Sequence, residues 1–427
     1  MLMKNLPKES KYINDLFNEA KNRGLMFLES PKDETTNSNI YFKGKQLKNF
    51  ITNSYLALEN DIRVKQAAIE GIERFGLFTS VSRTYVSFDH YLELEDKLET
   101  IYGLPTFVVN NVSLGHFAYL PMIIGENDAI ITDQFVHKSV RVAVQYLNGG
   151  GIYSEVLRHN QMSELESKIK NLGEKYDKVW YLTDSVFSMQ GDVAPFDDLK
   201  TMLNTYEKFN LYIDDAHGMS WIGENGKGYC FHHLPYHEKM YVISSLNKGF
   251  GGTNAAMIFP NQKTKDLIHT LGLPIIFSSP TMHAGITAAS KLADIHLSVE
   301  IYERQAMLNE RLQFFKQKIK ELQIPMLYPN AQTPIGFIVL GNVEAMAQFG
   351  EKMQEKGYLM SIASFPSVPL KHSGFRVSIS LHQTIQDINN LVECAAETMF
   401  ELEKTGVFNR EFAFRNIWQT ERKQVNL

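Results

Sequence analysis

Short apolar segments alternate with amphipathic segments along most of the chain after about residue 60. Between several apolar segments, hydrophobic residues recur at helical spacing, as in APFDDLKTMLNTYEKF (194–209). Strands that alternate with helices indicate an α/β fold with a mostly parallel sheet covered on both faces. The apolar segments with the length and composition of buried strands are TFVVN (106–110), AIIT (129–132), KVWYLT (178–183), NLYID (210–214), MYVISS (240–245) and AAMIF (255–259).

The pattern changes after LPIIFSSPTMHAG (273–285). One long helix is predicted over about 283–322, followed by strands near GFIVL (336–340) and FRVSIS (375–380), which is typical of a smaller α+β domain. Near the N-terminus, only residues 40–42 resemble a strand. We therefore expect an N-terminal arm with a short strand (1–50), a large domain (51–290) and a small C-terminal domain with a tail (291–427).

Composition and charge narrow the possible environments. The 427 residues are 44% hydrophobic and 21% charged, with a formal net charge of -5, which disfavours a nucleic-acid partner. Cys230 and Cys394 are too few for a disulfide framework. The N-terminus lacks the apolar stretch of a signal peptide, and no apolar run approaches the length of a membrane span. We expect a cytoplasmic protein without integral membrane association.

The strand NLYID ends in residues suited to hold a heteroaromatic cofactor. In open α/β sheets, ligands bind beyond the carboxyl ends of the strands, where Asp214, Asp215 and His217 lie. A buried carboxylate keeps a pyridine nitrogen protonated, which makes the ring an electron sink. The alternative is a pair of aspartates that closes a strand at a turn, and this segment alone leaves both interpretations open.

The strand MYVISS leads into Lys248 and the glycine-rich run 249–252. A partly desolvated lysine at a strand end suits Schiff-base chemistry, and glycines let a flat cofactor approach the backbone. Ser245 is placed to reach a phosphate oxygen. The alternative is a solvated surface lysine, which the preceding apolar strand and the following glycines disfavour.

Three further strand ends carry candidate ligands. TFVVN leads through residues 111–113 into a helix predicted to begin near Leu114, whose N-terminus attracts an anion. Ser113 is predicted as N-cap and phosphate ligand, although an ordinary N-cap is the alternative. His137, after AIIT, is placed to stack on a cofactor ring, although a lone histidine is more often structural. Ser188 follows KVWYLT.

The motifs VFSMQGD (186–192), IDDAHG (213–218) and SLNKGFGG (245–252), in this order, resemble those of the pyridoxal-5′-phosphate (PLP) enzymes of fold type I. Specifically, they resemble the α-oxoamine synthases, which include 8-amino-7-oxononanoate synthase, 2-amino-3-ketobutyrate CoA ligase and serine palmitoyltransferase. The resemblance extends from NSYLAL (53–58) to FRVSISLHQT (375–384). It implies an aspartate-aminotransferase-like fold, with PLP bound in the large domain.

The resemblance also implies roles for the candidate residues around the cofactor ring. Lys248 would hold PLP as a Schiff base, and Asp214 would pair with the pyridine nitrogen. His217 would approach the phenolic oxygen with Ser188 nearby, while His137 would stack on the ring.

By the same resemblance, the cofactor phosphate is bound by two sets of residues. Val112, through its backbone, Ser113 and Ser245 would bind it within one chain. Ser278 or Ser279 of IFSS would bind it from the neighbouring subunit. The expected assembly is therefore a homodimer with the active site at the subunit interface.

The implied activity is that of a PLP-dependent acyltransferase. It condenses a small α-amino acid with an acyl thioester of CoA or acyl carrier protein, and decarboxylation leaves an α-oxoamine. Asn53 and Arg376 match positions that hold the amino-acid carboxylate, which an arginine fork suits. An aminotransferase on the same fold is the main alternative, which VFSMQGD and His137 disfavour. A non-catalytic PLP-fold binding protein is a third alternative, disfavoured because Lys248, Asp214 and Arg376 are all present.

The chain departs from the family mainly where substrates bind. Residues 111–113 replace the usual Ser-Gly-aromatic motif, 77–95 lack the common glycines, and Ser364 stands where several members have a second arginine. These differences leave the amino acid and the acyl chain undetermined. No metal is expected, since 232–237 holds three histidines without a carboxylate or cysteine at helical ligand spacing, and a surface loop is predicted there.

Overall fold

The computed structural model describes residues 8–31 and 36–425. The chain divides into two compact units. The larger one comprises Ser54–Ser188 and Val193–Met307. The smaller one comprises the described residues up to Asn53, Met189–Asp192 and those from Leu308 onwards.

The strands and helices follow the alternation seen in the sequence. In the described residues, the strands are β1 (Asn39–Phe42), β2 (Lys45–Asn49), β3 (Thr106–Val109), β4 (Ala129–Asp133), β5 (Tyr153–Leu157), β6 (Val179–Asp184), β7 (Phe209–Asp214), β8 (Met240–Ser245), β9 (Ala255–Ile258), β10 (Met326–Leu327), β11 (Ile335–Val339), β12 (Tyr358–Leu359), β13 (Ser361–Ala363) and β14 (Gly374–Ser378). The α-helices are α1 (Lys8–Asn22), α2 (Ile62–Phe75), α3 (Asp89–Tyr102), α4 (Val112–Ile123), α5 (Lys138–Gly149), α6 (Met162–Gly173), α7 (Phe196–Thr205), α8 (Tyr229–His233), α9 (Gln262–Asp266), α10 (Ile268–Leu271), α11 (Leu273–Ile276), α12 (His283–His296), α13 (Glu300–Glu321), α14 (Val343–Glu355), α15 (Ile385–Lys404) and α16 (Arg410–Val425).

The larger unit is built on a seven-stranded sheet with the order β3-β9-β8-β7-β6-β4-β5. Strands β4 to β8 all run parallel to one another, and β9 is antiparallel to both β3 and β8. Every residue of β4, β6 and β7 is buried, because helices cover both faces of a parallel sheet. The predicted α/β fold of type I with a mostly parallel sheet is confirmed.

The sheet register brings three strand ends together. Asp184, at the end of β6, lies opposite Asp214, at the end of β7, and Asp214 lies opposite Ile243 in β8. Parallel neighbours end at the same edge of the sheet, so the residues that follow β6, β7 and β8 surround one site.

The predicted single helix over 283–322 is wrong. α12 ends at His296 and α13 begins at Glu300. The Ser298 hydroxyl accepts a hydrogen bond from the Glu300 N–H at 3.3 Å and donates one to the Ile295 carbonyl at 2.8 Å. This serine therefore ends one helix and starts the next, a local exchange of backbone partners that the hydrophobic periodicity does not reveal.

The smaller unit contains two sheets. The antiparallel order β10-β11-β14-β13 includes the predicted strands at 336–340 and 375–380, while β1, β2 and β12 form a second sheet. The N-terminal segment is fastened by Arg23, which donates to Glu351 at 2.7 Å and to Glu344 at 2.9 Å.

Two observations bear on the environment and on metals. No helix in the described ranges is long and apolar enough to cross a membrane. The same ranges hold no group of three or more His, Cys, Asp or Glu residues suited to a metal ion. A surface loop was predicted for these histidines, but His232 and His233 are the last two residues of the short helix α8. The His233 ring packs on Tyr229 of the same helix, with ring centroids 4.3 Å apart.

Candidate active site

A cavity of about 240 Å³ lies at the carboxyl ends of β6, β7 and β8 in the larger unit. It brings together residues that are up to 137 positions apart, from 111 to 248. The predicted site residues that line it are Val112, Ser113, His137, Asp214, His217, Ser245 and Lys248.

The other predicted residues lie outside this lining. Ser188 is half-buried in the same unit, and its approach to the cofactor remains a prediction. Ser278 and Ser279 do not line the cavity, and the Ser279 carbonyl accepts a hydrogen bond from Asn110 at 2.9 Å. Their predicted role belongs to a neighbouring subunit, which a single chain does not test. Asn53 and Arg376 belong to the smaller unit.

Lys248 stands on a tight turn that glycines make possible. Its carbonyl accepts a hydrogen bond from Gly251 N–H at 3.0 Å, and Gly251 has a positive φ of 88°. A Cβ atom at Gly249 would lie 2.6 Å from the Met219 carbonyl oxygen. The glycines therefore fix the backbone on which the half-buried Lys248 side chain enters the cavity.

Asp214 is a fully enclosed carboxylate with two hydrogen-bond donors. Its Oδ1 accepts the Ala216 N–H at 3.0 Å, and its Oδ2 accepts His116 Nε2 at 3.1 Å. Burial raises the pKa of Asp214, but the interactions with His116, first among them the hydrogen bond, and then the positive charge of Lys248 outweigh it, so that the net pKa is below the ordinary value. Asp214 is thus a stable buried anion at the cavity wall.

Asp184, at the end of the neighbouring strand β6, is a carboxyl group whose pKa is shifted in the opposite direction. Burial, together with the charge of Asp214, raises the pKa of Asp184 well above its ordinary value. Asp184 Oδ1 accepts the His137 backbone N–H at 3.0 Å and so anchors the start of α5. Burial, followed by the charge of Lys248, lowers the pKa of His137, which favours a neutral ring facing the cavity.

His217 and His116 are each oriented by a tyrosine. His217 Nδ1 lies 2.7 Å from Tyr55 Oη, and His116 Nδ1 lies 2.8 Å from Tyr212 Oη. Neither His116 nor Tyr55 was predicted from the sequence, because His116 is 98 positions from Asp214 and Tyr55 is 162 positions from His217. The period of two in β7 puts Tyr212 on the same face as Asp214, and this was the one available signal for the tyrosine that contacts His116.

Helix α4 points its N-terminus at the cavity, but its cap differs from the prediction. α4 begins at Val112, and the N-cap is Asn111, whose Oδ1 accepts the Leu114 N–H at 2.9 Å. Ser113 is therefore the second residue of the helix. Asn111 has an extended backbone that frees its side chain to cap, and this leaves the Ser113 hydroxyl at the cavity.

Comparisons with curated proteins place the chain among named enzymes. It is 29% identical to 8-amino-7-oxononanoate synthase of Fervidobacterium nodosum over 94% of this chain and 98% of that protein. It is 27% identical to the enzyme of the same name from Alkaliphilus oremlandii over 90% and 96%. The predicted resemblance to α-oxoamine synthases is therefore confirmed.

Solved structures agree on the fold. Serine palmitoyltransferase from S. paucimobilis superposes with a TM-score of 0.84 at 18% identity, covering 93% of this chain and all of that one. 8-Amino-7-oxononanoate synthase from Francisella tularensis gives a TM-score of 0.71 at 20% identity, over 83% and 98%. The family described as aminotransferase class I and II matches residues 45–394, most of the sequence. The chain belongs to the class I and II aminotransferase family.

Proposed function

We propose that the chain is a PLP-dependent acyltransferase of the α-oxoamine synthase type. It joins the Cα of a small α-amino acid to the acyl carbon of a thioester. The C–S bond and the Cα–carboxylate bond break, so that a thiol, CO₂ and an α-oxoamine are the products. The observation that carries the proposal is that a lysine amine and a buried carboxylate with a lowered pKa line the same cavity.

The donor set of the cavity fits PLP. Asp214 supplies the anion that a protonated pyridine nitrogen requires, and His137 and His217 supply ring contacts. The N-terminus of α4 and the hydroxyls of Ser113 and Ser245 supply donors for a phosphate. When bound, PLP accepts the electron pair released at the amino acid Cα, which no protein side chain does.

Lys248 is the group assigned to covalent attachment and proton transfer. With PLP bound, its amine would hold the cofactor covalently, and the amine freed by the substrate would take the Cα proton. Asp214 stabilises the positive charge that makes this proton acidic. The positive charge of Lys248 contributes to the lowered pKa of Asp214.

Arg376 is proposed to bind the substrate carboxylate. It is buried, and its Nη2 donates to Asn53 Oδ1 at 2.7 Å while Nη1 donates to Ser378 Oγ at 3.0 Å. These contacts hold the guanidinium plane in place, which is what two-pronged recognition of a carboxylate requires.

A transaminase reaction on the same fold is the second candidate, favoured by the name of the family itself. It uses the same lysine and aspartate, but the amino group remains on the cofactor and an oxo acid leaves. No thiol would be released. The products therefore distinguish the two reactions.

The test is to incubate the purified protein with PLP, one amino acid at a time and a series of acyl-CoA chain lengths. The proposal predicts equal amounts of thiol and CO₂, formed only when both substrates are present. Lys248→Ala should form neither, whereas Lys263→Ala, at an exposed position of α9, should match the wild type. An oxo acid formed from the amino acid without thiol release would establish the transaminase instead.

We also propose a homodimer that works in the cytoplasm. The small number of cysteines and the expected contribution of Ser278 or Ser279 to a second site support this. Sedimentation of the purified protein tests the assembly.

A further inference from the structure

Asp214, His116 and Tyr212 form a hydrogen-bonded chain, called the relay below, that extends from the cavity wall into the protein interior. His116 of α4 is completely buried, with Nε2 at 3.1 Å from Asp214 Oδ2 and Nδ1 at 2.8 Å from Tyr212 Oη. Tyr212 and Asp214 are two residues apart in β7, so one strand face supplies both ends of the relay. His116 is not among the residues that line the cavity.

The direction of each hydrogen bond follows from the chemistry of the partners. An ionised carboxylate only accepts, so His116 Nε2 must carry a proton and donate it to Asp214. Among the residues that the structure describes, Tyr212 Oη has no other hydrogen-bond partner than His116. Burial and the charge of Asp214 raise the pKa of Tyr212, so its hydroxyl keeps its proton and donates to Nδ1.

We propose that Tyr212 holds His116 as the neutral tautomer with its proton on Nε2, so that His116 is a positioning residue that orients Asp214 without cancelling its charge. A histidinium in this place would form an ion pair with Asp214 and weaken its hold on the cofactor ring nitrogen. A neutral donor fixes the carboxylate and leaves its full negative charge available. This inference rests on the proposed function, because it assigns Asp214 to the pyridine nitrogen.

The surroundings contain the other groups that act on the relay. Asp184 of β6 lies beside Asp214, His137 begins α5, and Lys248 follows β8. Lys248 and His137 lower the pKa of Asp214 and so favour its ionised form. The hydrogen-bond partners of His116 are Tyr212 and Asp214, not Lys248 or His137. The tyrosine is therefore the contact that selects the His116 tautomer.

The first test uses the cofactor-free protein and does not depend on the proposed reaction. Side-chain ¹⁵N NMR of histidine-labelled protein, with the His116 signals identified by their loss in His116→Gln, reports which ring nitrogen carries a proton. Near neutral pH the wild type should show a protonated Nε2 and an unprotonated Nδ1. Two protonated nitrogens would overturn the proposal even if the enzyme makes an α-oxoamine.

The second test measures PLP affinity by titrating the cofactor-free variants. His116→Leu removes the donor to a charged group and should weaken PLP binding roughly 10- to 100-fold. His116→Gln places an amide donor near the Nε2 position and should restore most of that loss. Wild-type affinity in His116→Leu, with its fold intact by circular dichroism, would contradict the positioning role.

The third test separates a tautomer effect from a packing effect. In Tyr212→Phe, His116 is free to take a second proton, so the acid limb of the kcat/KM profile should move to higher pH while activity at alkaline pH is retained. Tyr119→Phe is the matched control, because Tyr119 donates to the Ile258 carbonyl and packs edge-on against Tyr212 at 5.6 Å. An equal loss at every pH in Tyr212→Phe would show that the hydroxyl acts through packing alone.

Discussion

At the scale of single residues, two adjacent aspartates are assigned different tasks by their surroundings. Asp214 has two donors and a nearby cation, and its pKa is lowered. Asp215 is fully buried. Its Oδ1 accepts from Ser185 Oγ and from the Cys230 N–H, while Oδ2 has no partner in the described residues. Burial raises the pKa of Asp215 to about 8.

These opposite pKa shifts predict that the same substitution lowers kcat at Asp214 but leaves it nearly unchanged at Asp215. Asp214→Asn removes the anion assigned to the ring nitrogen and should lower kcat by roughly 10²- to 10³-fold. Asp215→Asn replaces a carboxyl group that is largely protonated at neutral pH by an amide of equal size, so kcat should stay close to the wild type. Steady-state assays of both variants check this, and an equal loss in the two would refute the assignment.

Asp215 also predicts a pH dependence of stability. Its pKa is 3.8 in the ordinary state and about 8 in the folded protein, so the fold holds a proton that the unfolded chain releases between these values. This contribution to stability is fully present below about pH 4 and is lost as pH rises through 8. The unfolding temperature of Asp215→Asn should therefore fall less than that of the wild type over this window, in thermal melts of the cofactor-free protein. Parallel curves would argue against a protonated Asp215.

Lys248 and the aspartates could be predicted from the sequence because each follows an apolar strand. The strand pattern did not distinguish Asp214 from Asp215, since both lie at the same strand end. The family resemblance selected Asp214, and burial and hydrogen-bond partners give the physical difference between the two. His116 and Tyr55 could not be found, because their roles depend on contacts between distant segments.

At the scale of secondary-structure elements, the buried strands were predictable and the exposed edge strand β5 was not. The six buried strands of the larger sheet, which appear as continuous apolar runs, are confirmed. β5 was missed because it lies at the sheet edge, where YSEVL is mostly exposed or half-buried. The break between α12 and α13 was missed because it depends on the hydroxyl of Ser298 and is not accompanied by a change in hydrophobicity.

Because Asn111 both caps α4 and lines the cavity, a substitution there should change cofactor affinity without changing the stability of the helix. Asn111→Asp keeps an N-cap acceptor for the Leu114 N–H, so the unfolding temperature of the cofactor-free protein should be close to the wild type. The added negative charge at a helix end that faces phosphate should weaken PLP binding by roughly tenfold or more.

Asn342→Asp is the matched control for this prediction. Asn342 caps α14 in the smaller unit by accepting the Ala345 N–H at 2.7 Å, and it does not line the cavity. The same charge change there should leave PLP affinity unchanged. Equal affinities for the Asn111→Asp variant and the wild type, measured by cofactor titration, would show that the phosphate lies elsewhere.

At the scale of the whole molecule, the expected homodimer has a candidate surface in the larger unit. Phe277 is 84% exposed and Tyr85 is 85% exposed, on two segments that are joined by the hydrogen bond from Ser82 Oγ to the Ile276 carbonyl at 2.9 Å. Contiguous exposed apolar surface is typical of association sites. Phe277 directly precedes Ser278 and Ser279, the residues expected to reach the phosphate of a partner.

Phe277→Glu should therefore weaken the dimer and lower the affinity for PLP, because a buried charge at an interface is costly. Analytical ultracentrifugation over a concentration series measures the first effect and cofactor titration the second. Val156→Glu, an exposed apolar position on the edge strand β5, is the control and should alter neither. A dimer of wild-type strength in Phe277→Glu would place the interface on another surface.

We propose that Lys248 binds PLP in the cavity beside Asp214. Borohydride reduction of the PLP-loaded protein, followed by peptide mapping with mass spectrometry, tests it most directly. We predict that the visible absorption of the bound cofactor disappears and that its mass is found on Lys248, with no label in Lys248→Ala. A label on a different lysine, or a protein that takes up no cofactor, would contradict the account.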